Sequence, residues 1–340
     1  MRIVKAADYH YHLLDGFVPE PYISWIANWY MEGYAKRHDR LMASVLDEMV
    51  SGHDVTVPIE NLDWLEIETI DRCNRACHWC PTNKHNDSRP YKRMTDEIFK
   101  KIIDDLASFD YKGCIGLFCY NEPLMDKDIV ERIGYAKRML PRAHHFTYSN
   151  CDLLAPISLY ETNPDLFKVV VTSNFRKVAD LLDAAVLDNY SDDGRLTPQI
   201  QAVWDTYKDD YPNFVIWMRR ANEILNTKGS QAPNRRRPHF NMKSKCYLPF
   251  TGMYVDPYGR VRLCCQDALW QHPILGDLAA STVQEVWNGP GYLSVREHYL
   301  YGGKRCEKNV CDCCDVFHMG KNRIDITKDK YAEKMKLPKV

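Results

Sequence analysis

Three closely spaced cysteines are the residues of this sequence best placed to do chemistry. Cys73, Cys77 and Cys80 are separated by three and then two residues, and no fourth cysteine follows nearby. This spacing lets three thiolates wrap one face of a metal centre. Because an iron–sulfur cluster takes four protein ligands in total, three thiolates leave one coordination position open. An open position on a metal is where substrate or cofactor binds in a catalytic site.

A second set of cysteines lies towards the C-terminus. Cys246 and Cys264 flank a predicted hairpin, while Cys311 and Cys314 form a tight distal pair. Four thiolates that arrive from both ends of a small domain can hold one metal centre. On spacing alone, a structural zinc ion and an iron–sulfur cluster fit this set equally well.

Composition and charge exclude several classes of protein. The 340 residues predict about two domains. The 45 Lys and Arg balance 46 Asp and Glu, which argues against a general nucleic-acid binder. No apolar run approaches the ~20 residues that span a bilayer, so we expect no membrane partner. The N-terminus lacks the apolar core of a secretory signal, so we expect a cytoplasmic protein whose 13 cysteines serve metal binding or catalysis rather than disulfides.

The pattern around the first cysteines predicts strands that alternate with helices. We predict strands over residues 65–70, 115–120, 145–149, 168–172 and 214–218. We predict helices from Thr95 to about residue 107, over residues 126–140, and from the fourth strand to residue 187. This alternation predicts a parallel sheet, in which ligands bind at the carboxyl ends of the strands. The first cysteine group directly follows the first of these strands.

The flanking regions read differently. The sequence pattern predicts a helical N-terminal segment over residues 1–61 and the alternating α/β unit over residues 62–238. A basic, proline-containing stretch then interrupts the pattern, and residues 252–263 predict a hairpin with its turn at residues 256–259. We therefore expect a second and smaller domain over residues 239–319, followed by a basic tail over residues 320–340.

The pattern Cys73-x3-Cys77-x-Trp79-Cys80 resembles the signature of the radical S-adenosylmethionine (SAM) superfamily. The resemblance implies an α/β protein built on a partial (β/α)6 TIM-like barrel. It also implies that the three cysteines hold a [4Fe–4S] cluster whose fourth iron is chelated by SAM. Reductive cleavage of SAM then gives a 5′-deoxyadenosyl radical, which abstracts a hydrogen atom from the substrate.

The same resemblance implies a set of SAM-binding residues at the ends of later strands. The family usually has Gly-Gly-Glu-Pro after the second strand, and this chain keeps the last two residues but has Tyr120 and Asn121 in place of the glycines. The segment around Ser149 resembles the part of the family that contacts the ribose. We expect the SAM-binding residues to be Glu122, Pro123, Ser149, Asn150, Ser173 and Arg219.

Residues 239–319 resemble the SPASM/twitch extension of many radical SAM enzymes, a small α+β domain. The twitch form implies one auxiliary [4Fe–4S] cluster on Cys246, Cys264, Cys311 and Cys314, and this context favours iron–sulfur over zinc. Cys306 and Cys313 remain open as members of the site. Cys265, beside a predicted ligand, is a candidate hydrogen-atom donor, with packing against the cluster as the alternative.

The resemblance implies a radical SAM oxidoreductase or epimerase. The twitch form favours a sugar or aminocyclitol substrate that is dehydrogenated or epimerised, with a flavodoxin- or ferredoxin-type protein as electron donor. One alternative is a radical SAM enzyme that modifies a ribosomally made peptide. Two alternatives from other classes are a non-catalytic zinc-binding module and a plain electron-transfer iron–sulfur protein, although the latter needs no open iron position.

Overall fold

The parallel sheet predicted from the alternating pattern is confirmed. The computed structural model describes residues 1–5, 55–219, 228–233, 246, 248–301, 311 and 314. Its nine strands form one sheet in the order β1-β6-β5-β4-β3-β2-β7-β8-β9. They are β1 (Arg2–Lys5), β2 (Trp64–Ile67), β3 (Cys114–Gly116), β4 (His144–Ser149), β5 (Ala184–Tyr190), β6 (Phe214–Arg219), β7 (Gly252–Val255), β8 (Arg260–Arg262) and β9 (Gly276–Asp277).

Helices connect the strands in the manner of a partial β/α barrel. The described helices are α1 (Asp96–Ser108), α2 (Ile129–Met139), α3 (Ile157–Thr162), α4 (Pro164–Ala179), α5 (Pro198–Tyr207), α6 (Leu248–Thr251), α7 (Val283–Trp287) and α8 (Pro290–Tyr301). As predicted, Thr95 caps α1, since its side chain accepts from the amide of Ile98. No helix in the described ranges is long and apolar enough to cross a bilayer.

One predicted strand is wrong. Residues 168–172 lie inside α4, and the strand of this region is β5, in a stretch predicted to be helical. Asn163 caps α4 by accepting from the amide of Leu166, and Pro164 occupies its first turn. The helix then buries Phe167, Val171, Phe175 and Ala179, which recur every four residues. The β-branched residues at 169–171 therefore serve a helix whose period extends beyond them.

The two ends of the sheet show how the N- and C-terminal parts attach to the barrel. Arg2–Lys5, within the segment predicted to be helical, forms the edge strand β1 and pairs in parallel with β6. The rest of that segment up to residue 54 lies outside the described residues, as does the predicted tail. At the other end, β7 pairs in parallel with β2, so the predicted C-terminal domain continues the barrel sheet.

The predicted hairpin is confirmed. β7 and β8 pair in antiparallel fashion, and the turn between them uses Gly259 with φ +86°. The Asp256 carboxylate fixes the turn by accepting from the amides of Tyr258 and Arg260 at 2.9 and 3.1 Å. One apolar core runs from α1 and α2 through the sheet to α7 and α8. The hairpin, which lies between Cys246 and Cys264 in the chain, is therefore anchored to the barrel.

Candidate functional site

The loop after β2 brings the three predicted cysteine ligands together. Cys73, Cys77 and Cys80 are each half-buried. The amide of Cys80 donates to the carbonyl of Cys77 at 3.2 Å. The Asn83 side chain donates to the carbonyls of both Cys77 and Cys80. Cys73 lies within electrostatic reach of Cys80, and Cys77 within reach of both other thiols. The turn thus gathers the three thiols at the carboxyl end of β2, as the spacing predicted.

The environment of these thiols suits metal ligands better than a nucleophile. Burial raises the pKa of Cys73 and of Cys77 to about 12. A nucleophilic cysteine needs the opposite shift, because the thiolate is the reactive form. A metal centre can displace such protons as it binds. Arg75 acts to lower the pKa of Cys73 and Cys77, but burial outweighs it. Three thiols on one loop fit a cluster with one open iron position.

Arg75 fixes the cysteine loop to the neighbouring strands. Its Nε and Nη2 each donate to the Asp152 carboxylate at 2.6 Å. Its guanidinium also donates to the carbonyls of Asn150 and Asp188 at 2.8 and 2.7 Å. Such bidentate, charge-assisted hydrogen bonds are strong and directional. The loop is therefore tied to β5 and to the residues that follow β4. The sequence analysis missed this role, and its only local signal is an arginine between two ligand cysteines.

Glu122 joins the end of β4 to the turn after β3. Its side chain is 2% exposed and accepts from Ser149 Oγ at 2.7 Å, from the Asn150 amide at 2.8 Å and from the Leu124 amide at 3.1 Å. Burial raises the pKa of this carboxyl to about 7, although the three donors oppose the shift. The buried Pro123 begins the short 3-10 turn that Glu122 caps.

Asn150 extends this group to the cysteine loop. Its Nδ2 donates to Asn74 Oδ1 at 2.8 Å and approaches the sulfur of Cys73 at 3.8 Å. The structure therefore places Glu122, Pro123, Ser149 and Asn150 in one cluster of contacts beside the first predicted ligand. Their contact with SAM stays a prediction.

The other two predicted SAM-binding residues fare differently. Ser173 is exposed in the middle of α4 and not at the end of a strand, so the reason for assigning it to the site was wrong. Arg219 does end β6, as predicted. Its Nε donates to Asp188 at 3.2 Å, and its guanidinium lies 4.4 Å from the ring centroid of Trp217. Arg219 thus stands at the correct edge of the sheet, near the strand that holds Arg75.

A buried ion pair between Arg89 and Glu68 lies next to the cysteine loop. Arg89 donates to both oxygens of Glu68 at 3.1 Å and to Asp87 at 3.0 Å. Burial alone would lower the pKa of Arg89, but these two carboxylates outweigh burial and raise it. Glu68 also accepts from the amide of Tyr120 at 3.1 Å. The pairing joins residues about twenty positions apart, and no local pattern in the sequence marks it.

Pairwise contacts link the members of the second cysteine group. Cys264 follows β8, is buried, and lies within electrostatic reach of Cys246 and Cys314. The buried Cys311 contacts the Tyr299 hydroxyl at 2.9 Å, and the amide of Cys314 donates to its carbonyl at 3.3 Å. A set made only of thiols fits the chemistry of a cluster ligated by four cysteines. In the ranges that the structure covers, no three His, Cys, Asp or Glu side chains converge as the ligands of a single metal ion.

The remaining cysteines of the predicted site are only partly described. Cys306 and Cys313 lie outside the described residues. Cys265 is half-buried, and Gln266 Nε2 approaches its sulfur at 3.6 Å. Cys265 also lies within electrostatic reach of Cys119 and Tyr120, in the turn after β3. It therefore sits between the two cysteine groups, and its role as a hydrogen-atom donor stays a prediction.

Family comparisons place two domains on this chain. Residues 67–193 match the radical SAM superfamily, and residues 246–315 match SPASM, described as an iron–sulfur cluster-binding domain. The second match favours a cluster over the zinc ion that spacing alone left open. Together the two matches include all seven cysteines that the sequence analysis assigned to metal sites.

The chain is also similar to characterised proteins. The chain is 25% identical over 259 residues to the S-adenosyl-L-methionine-dependent 2-deoxy-scyllo-inosamine dehydrogenase of Niallia circulans, covering 74% of this chain and 92% of that protein. The crystal structure of BtrN in complex with AdoMet and 2-DOIA matches with a TM-score of 0.60 at 21% identity, over 75% of this chain and 93% of that one. BtrN in an open conformation matches with a TM-score of 0.51 at 20% identity, over 75% and 92%.

Proposed function

Because this chain belongs to the radical SAM superfamily and carries a C-terminal SPASM domain, we propose that it dehydrogenates an alcohol carbon of an aminocyclitol. One observation carries the substrate class: the similarity to a 2-deoxy-scyllo-inosamine dehydrogenase extends over 92% of that enzyme. The placement of four predicted SAM-binding residues beside the cysteine loop supports the chemistry.

The cofactors of the chain are SAM, the [4Fe–4S] cluster that binds it, and an auxiliary [4Fe–4S] cluster. We assign the first cluster to Cys73, Cys77 and Cys80. We assign the auxiliary cluster to Cys246, Cys264, Cys311 and Cys314. When bound, SAM and the first cluster supply a 5′-deoxyadenosyl radical that removes a hydrogen atom from the substrate carbon.

The protein's own side chains position these groups. Arg75 holds the cysteine loop against β5 and so would keep in place the loop whose thiols would hold the first cluster. We assign to Glu122 the contact with the SAM amino group, and the amide of Asn150 holds its carboxylate in place. Arg219, at the end of β6, is our candidate for the SAM carboxylate, since a guanidinium binds a carboxylate through two parallel hydrogen bonds. Trp79 is buried against Tyr190, with ring centroids 5.4 Å apart, and keeps water from that side of the loop.

Epimerisation is the second candidate function, and the position of Cys265 favours it. A thiol at this place, between the two cysteine groups, can return a hydrogen atom to a substrate radical because S–H bonds are weaker than most C–H bonds. The two outcomes differ in their product. Dehydrogenation yields a ketone, whereas epimerisation yields an isomer of the starting alcohol that gains one deuterium when the reaction runs in D2O.

Three further parts of the account belong to this proposal. A flavodoxin- or ferredoxin-type protein supplies the electron for SAM cleavage, and the enzyme works in the cytoplasm. The barrel comprises residues 62–238, and the auxiliary-cluster domain comprises residues 239–319. The parallel pairing of β7 with β2 supports a rigid connection between these two units.

An anaerobic assay with 2-deoxy-scyllo-inosamine tests the proposal. The reconstituted enzyme is incubated with SAM, a reductant and the aminocyclitol, and 5′-deoxyadenosine and ketone are quantified. We expect the two products in equal amounts, and neither from a Cys73/Cys77/Cys80→Ala control. Formation of 5′-deoxyadenosine with a peptide but with no aminocyclitol would contradict the proposed substrate. An isomerised alcohol in place of a ketone, abolished by Cys265→Ala, would establish the epimerase instead.

A further inference from the structure

Tyr120 spans the gap between the two cysteine groups. It lies in the turn after β3, where the resemblance led us to expect glycine. It comes within electrostatic reach of Cys80 in the first group and of Cys264 in the second. A glycine here has no side chain to reach the C-terminal domain. The tyrosine therefore adds a contact that the family's usual motif does not supply.

A run of hydrogen bonds connects the two groups through this residue. The Thr82 hydroxyl lies 3.4 Å from the sulfur of Cys80 and donates to the carbonyl of Tyr120 at 3.2 Å. The Tyr120 hydroxyl in turn donates to the carbonyl of Cys265, which is bonded to Cys264 in the chain. The thiol of Cys80 is thus linked by three polar contacts and the tyrosine itself to Cys265, the chain neighbour of the assigned ligand Cys264.

Tyr120 is held in place both at its backbone and at its ring. The amide of Tyr120 donates to Glu68, which Arg89 holds through both carboxylate oxygens. The ammonium group of Lys228 lies 5.3 Å from the centroid of the ring, a cation–π contact that covers one face. The backbone and the ring are therefore held independently of the hydroxyl, so removal of the hydroxyl alone should leave the side chain where it is.

The short segment that carries Lys228 is itself attached to the C-terminal domain. Gln231 is buried, donates to Asp267 at 3.1 Å and accepts from the amide of Leu269 at 2.8 Å. The contact of Lys228 with Tyr120 thus comes from a segment that is hydrogen-bonded to the domain of Cys264 and Cys265. Both contacts of the Tyr120 side chain therefore connect the cysteine loop of the barrel to the region of the second cysteine group.

We propose that Tyr120 is a positioning residue that couples the two clusters electronically, so that one electron passes from the reduced auxiliary cluster to the oxidised SAM-binding cluster. The proposal rests on the assignment of both clusters in the proposed function. In the transfer the auxiliary cluster is oxidised and the first cluster is reduced. No bond is made or broken, and Tyr120 itself is unchanged. An electron released by substrate oxidation can then serve the next cleavage of SAM.

Substrate-free holoenzyme provides the test, so its outcome does not depend on which substrate the enzyme uses. One electron per protein is delivered by a light pulse, and freeze-quench EPR follows its distribution. SAM changes the signal of the cluster that it binds, so the two clusters are distinguished. We expect Tyr120→Phe to slow equilibration between the clusters several-fold while keeping the iron and sulfide content of the wild type. Thr82→Val should slow it as well, because it removes the other hydroxyl of the link.

Tyr207→Phe is the matched control. Tyr207 is also half-buried, and its hydroxyl also donates to a backbone carbonyl, that of Thr172 at 3.3 Å, but it lies on α5. It should equilibrate as the wild type does. Unchanged equilibration in Tyr120→Phe would overturn the proposal. Loss of the auxiliary iron from Tyr120→Phe would overturn it too, because the hydroxyl would then build the site and not couple it. A holoenzyme that equilibrates normally but oxidises no aminocyclitol would refute only the substrate assignment.

Discussion

The two cysteine groups stand on the same sheet but are held by different forces. The first follows β2 and is held by charge: Arg75 with Asp152, and Glu122 with the residues that end β4. The second has members on both sides of the hairpin of β7 and β8 and is held by burial, since Cys264 and Cys311 are enclosed and Tyr299 contacts Cys311. The strands that lead to the two sites, β2 and β7, are neighbours in the sheet.

The ligands that we propose for each site account for this difference. SAM carries an amino group, a carboxylate and a sulfonium, so a site that admits it must keep polar, partly open surroundings, which need charged anchors to stay in place. A cluster ligated by four cysteines admits nothing, and its surroundings can be sealed by apolar and aromatic side chains. The first group accordingly has three half-buried thiols, whereas two of the four in the second group are buried.

Removal of the auxiliary ligands should separate the two sites most completely. We expect Cys246/Cys264/Cys311/Cys314→Ala to abolish formation of the ketone, because the substrate radical loses its electron acceptor. Cleavage of SAM to 5′-deoxyadenosine should continue, since the first site is intact. Quantification of both products by mass spectrometry checks this, with wild type alongside. Loss of SAM cleavage in this variant would mean that the first site depends on the second.

Arg75→Ala should weaken the first site alone. It removes charge-assisted hydrogen bonds that together contribute about 2–3 kcal/mol. We expect lower iron retention by the first site and weaker SAM binding, with the auxiliary EPR signal unchanged. Arg195→Ala is the matched control, because Arg195 is exposed and forms its ion pair with the exposed Asp193. Equal iron loss from both sites in Arg75→Ala would show that the charge network supports the whole fold.

Tyr299→Phe should have the converse and smaller effect. It removes the hydroxyl that contacts Cys311, at a cost on the order of 1 kcal/mol. Because hydrogen bonds to cluster sulfurs help to set the reduction potential, we expect a lower potential for the auxiliary cluster only. An EPR-monitored redox titration measures it. Tyr301→Phe changes an exposed tyrosine on the same helix and should have no effect. A shift in the first cluster's potential would break the comparison.

The smallest effect concerns Asp63, directly before β2. Asp63 lies at the end of the strand away from the cysteines, and burial raises its pKa from 3.8 to about 7. The folded protein therefore favours the protonated acid, and the stability of the wild type should rise as pH falls through 7. Asp63→Asn removes this contribution. Between pH 8 and 6 the wild type should gain about 1 kcal/mol relative to the variant.

Thermal unfolding of both proteins at the two pH values measures this difference. Other titrating groups, including His145 with its pKa lowered by burial to about 4, are common to both proteins and cancel. The two EPR signals should be identical in wild type and variant. A change in either signal would mean that the substitution at Asp63 affects that cluster site.

Local patterns predicted the parts of the site that are local in sequence. The cysteine spacing, the helix cap at Thr95 and the turn at Gly259 each depend on neighbouring residues, and each was found where expected. Ser173 was misplaced because the β-branched residues before it fit a strand or a helix equally well over five positions. The decision lay in the spacing of Phe167 and Phe175 outside that window.

Contacts between distant residues could not be predicted. Arg75 meets Asp152, 77 positions away, and Tyr120 meets Cys265, 145 positions away. Each pairing depends on which strands become neighbours, and the sequence marks neither. The departure from glycine at residue 120 was visible in the sequence, but its consequence was visible only once β7 was seen to continue the sheet beside β2.

The iron and sulfide content of anaerobically reconstituted protein tests the two-cluster account most directly. We predict about eight irons per chain in the wild type and about four in Cys73/Cys77/Cys80→Ala, with sulfide falling in parallel. That result would establish two [4Fe–4S] sites that load independently. About four irons in the wild type and none in the variant would contradict the account, because the C-terminal cysteines would then hold no cluster and the substrate radical would have no auxiliary electron acceptor.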